Sequence, residues 1–254
     1  MKKGFIFDVD GVIAETPHEV AWKEALQRLF DTNEKWKRIV RDTRYNPGGF
    51  TTSLYREQIS GKPRLDGARA ALAFFKVPDP DGEFSKEYSI EKQRVFLQKI
   101  ERGEFKVYED ALQVLLEARR RGIQLVAASS SKNATHILER IFVRDVAAAG
   151  DVAPEFIGHQ TTMVQLFDSN VCGMDVKKGK PDPEIFIRAA SSVGLGPGEC
   201  LVIEDAVAGI QAAKAGSMFC VGVARLNNEQ ELKNANADVV TDDLRRVFSC
   251  LFDV

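Results

Sequence analysis

The sequence is poor in cysteine, histidine and tryptophan, and it has no long apolar run. Only four cysteines occur among 254 residues, at Cys172, Cys200, Cys220 and Cys250. They lie far apart, without CxxC spacing or a histidine-rich partner, so a zinc module and a disulfide framework are excluded. Cys200 and Cys220 stand at the edges of apolar runs, where a thiol serves as a small core residue. No apolar stretch approaches the length of a membrane span. The apolar residues between Met1-Lys2-Lys3 and Asp8 are too few for a signal peptide. The expectation is a cytoplasmic protein with no membrane partner, in which the sequon Asn133 to Thr135 has no role. A dominant charge sign is also missing. The formal net charge is −2, so no global field draws the chain to nucleic acid. The run Arg119-Arg120-Arg121 reads as the solvated end of a helix, where cations complement the dipole.

What is present is ordinary globular material, 44% hydrophobic and 28% charged, enough for a large domain carrying a smaller one. Phe5-Ile6-Phe7 is a short apolar run that stops at Asp8 and reads as a buried strand. Gln124 to Ala128, Asn170 to Cys172, Leu201 to Ile203 and Phe219 to Ala224 read the same way, and Ala237 to Val240 more weakly. Helical patterns fall between them. Ala111 to Arg121 ends at Gly122, Pro183 to Val193 before Gly194, and Ala206 to Ala215 before Gly216. From Lys106 onward, helix and strand alternate, which predicts an α/β fold with a doubly wound parallel sheet. After the first strand the rhythm breaks into helical patterns at Val20 to Phe30, Asp66 to Phe75 and Ile90 to Ile100. The expected division is therefore a sheet domain of residues 1–12 and 105–254, with an inserted helical cap at 13–104.

In an open α/β sheet, ligands bind beyond the carboxyl ends of the strands. Asp8 and Asp10 follow the first strand. Ser129, Ser130, Ser131, Lys132 and Asn133 follow the second, and Glu204 and Asp205 the fourth. Lys180 precedes a helix opening Pro181-Asp182-Pro183. Four carboxylates, a hydroxyl and lysines thus meet on one rim. Such acids repel one another and call for a cation, and all-oxygen ligands favour Mg²⁺. A serine hydroxyl, loop N–H groups and a lysine suit phosphoryl oxygens. The set fits phosphoryl transfer on a small phosphorylated substrate. Of Asp8 and Asp10, one can be the nucleophile and the other the general acid/base. Gly11 permits a sharp exit behind them. Two rival motifs fail. Gly173 to Lys180 has five residues between its glycines and Pro181 where a P-loop needs Ser or Thr, and Gly194 to Gly198 precedes a strand instead of following one.

With these residues in place, the sequence resembles the haloacid dehalogenase (HAD) superfamily of phosphotransferases. FIFDVDGVIAET (Phe5 to Thr16), LVAASSSKN (Leu125 to Asn133), KGKPDPEIF (Lys178 to Phe186) and LVIEDAVAGIQAAKAG (Leu201 to Gly216) resemble its four motifs, in order. The cap position implies subfamily I. Within it the likeness is to the β-phosphoglucomutase-like group, carried by HEVAW (His18 to Trp22), GKPRLDG (Gly61 to Gly67) and EKQRVF. The resemblance implies Asp8 as nucleophile and Asp10 as acid/base. It implies Mg²⁺ held by Asp8, the Asp10 carbonyl, Glu204 and Asp205. Ser129 and Lys180 would bind the transferring phosphate. Thr16, His18, Arg64, Lys92, Ser130, Lys132 and Asn133 would line the substrate site. The expected activity is a phosphatase acting on a sugar phosphate, with a β-phosphoglucomutase-like isomerase as the alternative. A monomer is expected. Two departures stand out. The stretch Thr16 to His18 is short, and an extra segment from Val143 to Gln165 carries His159 and Phe156-Ile157. His136 is expected to be structural, and Trp22, Phe74 and Phe75 to form cap core.

Overall fold

The computed structural model describes residues 2–60, 62–149, 158 and 160–252. Phe156, Ile157 and His159 lie outside the described residues, as do Gly61 and the side chain of Cys250. The chain divides into two compact units, Met1–Thr16 with Lys106–Val254, and Pro17–Phe105.

The first unit carries eight strands among its described residues: β1 (Gly4–Phe7), β2 (Ala14–Glu15), β3 (Lys106–Val107), β4 (Gln124–Ala127), β5 (Ser169–Asn170), β6 (Cys200–Glu204), β7 (Phe219–Val223) and β8 (Val239–Thr241). Six form one sheet in the order β5-β4-β1-β6-β7-β8. Every pairing in it is parallel, with Ile6 opposite Val126 on one side and Val202 on the other. This is the doubly wound sheet that the alternation predicts. Its central strands are buried on both faces, as unbroken apolar runs require. Ile6, Val126 and Val202 pack with Ile185 and Phe186 of the helix Glu184–Ser192 and Ile210 of the helix Val207–Ala215. Each such side chain contributes about 1.5–3 kcal/mol. The helix Glu109–Arg120 buries Leu112, Leu115 and Ala118 and stops where Gly122 takes φ +71°.

β2 and β3 form a separate antiparallel pair, Ala14 opposite Val107. It ties Thr16 and Lys106 to the sheet unit, which places the unit boundaries later than the sequence pattern suggests. Two-residue strands carry no periodicity, so the pattern could not register them. Arg120 and Arg121 lie exposed and pair with Glu117, while Arg119 donates to the Leu166 carbonyl at 2.9 Å. In the extra segment, the helix Val143–Ala149 and a bridge between Phe142 and Thr162 are described.

The second unit is helical. The helix His18–Thr32 packs along Glu83–Glu101, and Arg64–Phe74 packs against the latter as well. Its core is aromatic: Trp22 meets Tyr88 edge-on, and Trp36 meets both Phe30 and Phe84. Phe75 is buried there, but Phe74 is 52% exposed. The helix ends at Phe74, so only the next residue turns inward. No described helix is long and apolar enough to cross a membrane.

Candidate active site

The sheet places its charged residues where strands run out. Asp8 follows β1 directly, and its N–H still donates to the Ile203 carbonyl at 3.0 Å. Ser129 stands two residues past β4, with its carbonyl accepting the Gly173 N–H at 2.8 Å. Glu204 is the last residue of β6 itself, not the first beyond it, and Asp205 follows. Lys180 arrives on the loop before Glu184–Ser192. That loop is held by the Glu184 carboxylate, which accepts the N–H groups of Lys177 and Lys178 at 2.8 and 3.2 Å.

These residues converge. Lys180 Nζ donates to Asp8 Oδ1 and to Glu204 Oε1, both at 2.6 Å. Glu204 Oε2 accepts the N–H groups of Asp205 and Ala206 at 2.6 and 2.8 Å. Carboxylate oxygens of Asp8, Glu204 and Asp205 lie within 4.8 Å of one another, and among the described residues this is the group suited to hold a metal ion. Two glycines make room for them. A methyl at Gly11, which takes φ +82°, would overlap the Asp205 carboxylate, and one at Gly209 would overlap that of Glu204.

The electrostatics follow from burial. Asp8 is 6% exposed. Burial pushes its carboxyl up to about 7, with Glu204 and Asp10 adding to the rise and Lys180 opposing it. Asp205 is raised well above the carboxylate range, by burial and then by Glu204, Asp8 and Asp10. Burial alone would lower Lys180, but Asp8 and Glu204 outweigh it and raise the ammonium. The Cys172 thiol lies beside this group and is pushed up to about 12, by burial and by Asp8. It is a neutral neighbour.

The remaining sequence-predicted residues fall into three places. Asp10 Oδ1 accepts the Thr16 hydroxyl at 2.5 Å and the Thr16 N–H at 3.3 Å. On the loop after β4, Ser129 Oγ accepts the Ser131 N–H, and Ser131 Oγ accepts the Asn133 N–H. Ser130 is exposed on that loop, and Lys132 pairs with Asp175 at its surface. In the helical unit, Lys92 Nζ lies 2.7 Å from His18 Nδ1. Burial, Lys92 and Arg64 hold His18 well below its usual range. A neutral ring that accepts from an ammonium at Nδ1 carries its proton on Nε2. Arg64 opens the helix Arg64–Phe74. His136 lies on the helix Ala134–Arg140 beside Glu139. Gly209 and Asn228, whose amide donates to the Asp205 carbonyl, escaped the sequence reading, which placed Cys172 only at the end of a strand. Gly209 left one signal, a glycine five positions beyond a candidate acid.

Comparison with known proteins identifies the family. A model of the haloacid dehalogenase-like hydrolases matches residues 2–216. The beta-phosphoglucomutase of Bacillus subtilis is 31% identical over 88% of this chain and 84% of its own. A phosphorylated carbohydrates phosphatase of Thermotoga maritima is 29% identical over 91% and 90%. SUPPRESSOR OF QUENCHING 1, a chloroplastic protein of Arabidopsis thaliana, is 31% identical over 74% of this chain, which spans only 16% of that longer protein. The solved archaeal beta-phosphoglucomutase from Pyrococcus shares the fold, with a TM-score of 0.68, 24% identity and 99% coverage of both chains. The chain belongs to the haloacid dehalogenase-like hydrolase family, among its β-phosphoglucomutase-like enzymes.

Proposed function

We propose that this enzyme is a magnesium-dependent phosphatase acting on a sugar phosphate through an aspartyl-phosphate on Asp8. The observation that carries the reading is the group of Asp8, Lys180, Glu204 and Asp205 at the carboxyl end of the sheet, with Asp8 and Glu204 buried. Asp8 is the nucleophile. Its carboxylate oxygen bonds to phosphorus as the bond to the sugar oxygen breaks. Asp10, oriented by Thr16, gives its proton to the departing oxygen. It then takes a proton from the water that attacks the aspartyl-phosphate. Ser129 and Lys180 hold oxygens of the transferring group, and Lys180 also keeps Asp8 and Glu204 together against their repulsion.

The donor set fits a hard dication. Three clustered carboxylates, two of them with raised pKa values, repel one another until a cation neutralises them, and oxygen-only donors suit Mg²⁺. Asp8, Glu204 and Asp205, with the Asp10 carbonyl, would hold it. The ion would supply charge neutralisation for the phosphoryl oxygens. Cys172, Cys200 and Cys220 are free thiols, which accords with a cytoplasmic location; the proposed state is a monomer.

A β-phosphoglucomutase reading is the second one. The 31% identical Bacillus relative favours it, as does a helical unit holding Lys92 and Arg64. In that case a hydroxyl of the sugar monophosphate replaces water as acceptor, and a sugar bisphosphate forms as the intermediate. The deciding experiment is a phosphatase screen over sugar phosphates, run beside a coupled assay on β-glucose 1-phosphate with and without a glucose bisphosphate primer. Phosphate release across the screen supports the phosphatase. Isomerisation that needs the primer supports the mutase. Silence in both refutes the proposed chemistry.

A further inference from the structure

The ladder of β6 with β7 ends at Glu204, opposite Gly222. Asp205 therefore stands beyond the sheet, and its peptide groups need other partners. Its N–H goes to Glu204 Oε2 at 2.6 Å. Its carbonyl accepts from the Asn228 side-chain amide at 3.0 Å, across 23 positions of sequence. Asn228 is an unusual donor for this purpose. It occupies the N-cap position of the helix Glu229–Asn234, yet its side chain makes no capping bond. Asparagine is among the preferred caps because its side-chain oxygen accepts a helix N–H. Here that oxygen, Oδ1, is buried without a hydrogen-bond partner. The amide thus forgoes its local role, and its donor reaches the Asp205 turn. Its orientation is fixed by chemistry, because turning Oδ1 toward the Asp205 carbonyl would oppose two acceptors.

The loop that presents Asn228 is anchored. Arg225 donates to both oxygens of Asp110 at 2.7 and 2.9 Å, and its guanidinium lies 4.0 Å from the Tyr108 ring centroid. Asp110 also accepts the Leu244 N–H at 2.8 Å. A fixed loop therefore meets a turn that has no sheet to hold it. A local preference set aside in this way marks a site where another requirement dominates.

We propose that Asn228 is a positioning residue for metal binding. It fixes the Glu204–Asp205–Ala206 turn so that the Asp205 carboxylate meets those of Asp8 and Glu204 around Mg²⁺. The inference rests on the magnesium reading of this site. Partners of this outer kind set ligand geometry, and their loss weakens metal binding by roughly 10- to 100-fold.

The test is isothermal titration with Mg²⁺ alone, on the full chain. Asn228→Leu keeps the volume and removes the donor. Asn228→His offers a ring N–H near the same place. The expected result is a Kd for Mg²⁺ raised at least roughly 10-fold in Asn228→Leu and brought most of the way back in Asn228→His. Melting temperatures without metal should stay close to wild type. Should Asn228→Leu fail to fold, Asn228→Ala takes its place. A wild-type Kd in the donor-less variant overturns the proposal. So does a weakened Kd that Asn228→His leaves unrestored, since packing and not the donor would then matter. A wild-type chain that gives no Mg²⁺ isotherm refutes the magnesium reading itself and takes this inference with it. The wild-type titration tells the two failures apart.

Discussion

Each unit of this chain holds a lysine near an ionisable partner, and the two lysines are held in opposite ways. Lys180 sits between two carboxylates at 2.6 Å, and they raise its pKa. Lys92, 3% exposed, meets a neutral imidazole at 2.7 Å and lies 4.5 Å from the Phe96 ring centroid and 5.3 Å from that of Trp22. The first arrangement is a cluster of the groups proposed to react, in which one ammonium offsets part of the charge of the acids. The second steadies a cation with a lone pair and ring faces. Under the proposed function the sheet unit treats every phosphoester alike, and the helical unit decides which substrate is favoured. Substitutions in the two units should therefore differ in kind as well as in size.

The largest effect is expected at the nucleophile. Asp8→Asn keeps the volume, removes the attacking charge and leaves Lys180 its bond to Glu204. Turnover should fall by at least about three orders of magnitude on every substrate tested, since no neighbour stands in for Asp8. Labelling by beryllium fluoride should vanish with it. Near-normal kcat in Asp8→Asn would mean that another group attacks.

Gly209→Ala probes the same cluster without touching a reactive group. The added methyl would overlap the Glu204 carboxylate, so that side chain must move away from Lys180. A displacement of this size costs on the order of 10²-fold in kcat, again on all substrates. A contrasting control is Gly67→Ala in the helical unit. Its methyl would approach Ile59 and Trp22 at 3.2 Å, a contact that side chains can relieve, and kcat should stay within about twofold of wild type. Comparable losses at the two glycines would erase the distinction between the units.

How far the sequence announced all this depends on the distance over which each signal acts. Strands that end in acids were legible because the signal is local: Phe5-Ile6-Phe7 stops at Asp8, and Leu201 to Ile203 leads into Glu204-Asp205. The parallel sheet followed from alternation alone. The pairing of Ala14 with Val107 did not, because it joins two-residue segments across the whole helical insertion. Phe74 and Phe75 looked alike by spacing, and only the helix end separates the exposed ring from the buried one. Asn228 was invisible for a different reason. An asparagine ahead of a short helix reads as a cap, and nothing in the sequence says that its amide serves Asp205 instead.

Arg64→Ala should be milder and selective. Its planar fork suits a second phosphate on the substrate. A mutase substrate has one at the bisphosphate stage, whereas acetyl phosphate has none. For a mutase, kcat/KM on the sugar phosphate should drop by about 1.5–3 kcal/mol, the usual size of a charged hydrogen bond. Hydrolysis of acetyl phosphate should hardly change. Equal losses on both substrates would remove Arg64 from distal-phosphate binding and leave the plain phosphatase ahead.

The smallest effect is on stability, and its sign depends on the metal. In the fold Asp8 titrates near 7 instead of its ordinary 3.8, and burial also raises Asp205 well above the carboxylate range. Between the unfolded and folded values the native state binds more protons at these two carboxyls than the unfolded one, so their contribution to metal-free stability falls as pH rises, while His18, lowered in the fold, acts in the opposite sense. For Asp8 the stabilisation is complete below about pH 4 and gone above about pH 7. The difference in melting temperature between the wild type and Asp8→Asn, both in EDTA, should therefore decline across that window. Saturating Mg²⁺ needs the carboxylates deprotonated, so its stabilising shift should grow as pH rises through the same range. Activity should follow the metal, lost in EDTA and restored by Mg²⁺ but little by Ca²⁺, whose looser coordination suits an in-line transfer poorly. The comparison sharpens with Lys180→Met. Without the ammonium that pulls Asp8 down, the carboxyl should titrate higher, and the metal-free decline should extend to higher pH. Lys92→Met lies in the other unit and should leave the metal dependence of this profile unchanged. Melting curves at several pH values, with EDTA and with Mg²⁺, decide the matter. A metal-free difference between wild type and Asp8→Asn that grows from pH 5 to 7 would contradict the raised Asp8 carboxyl and the pull assigned to Lys180.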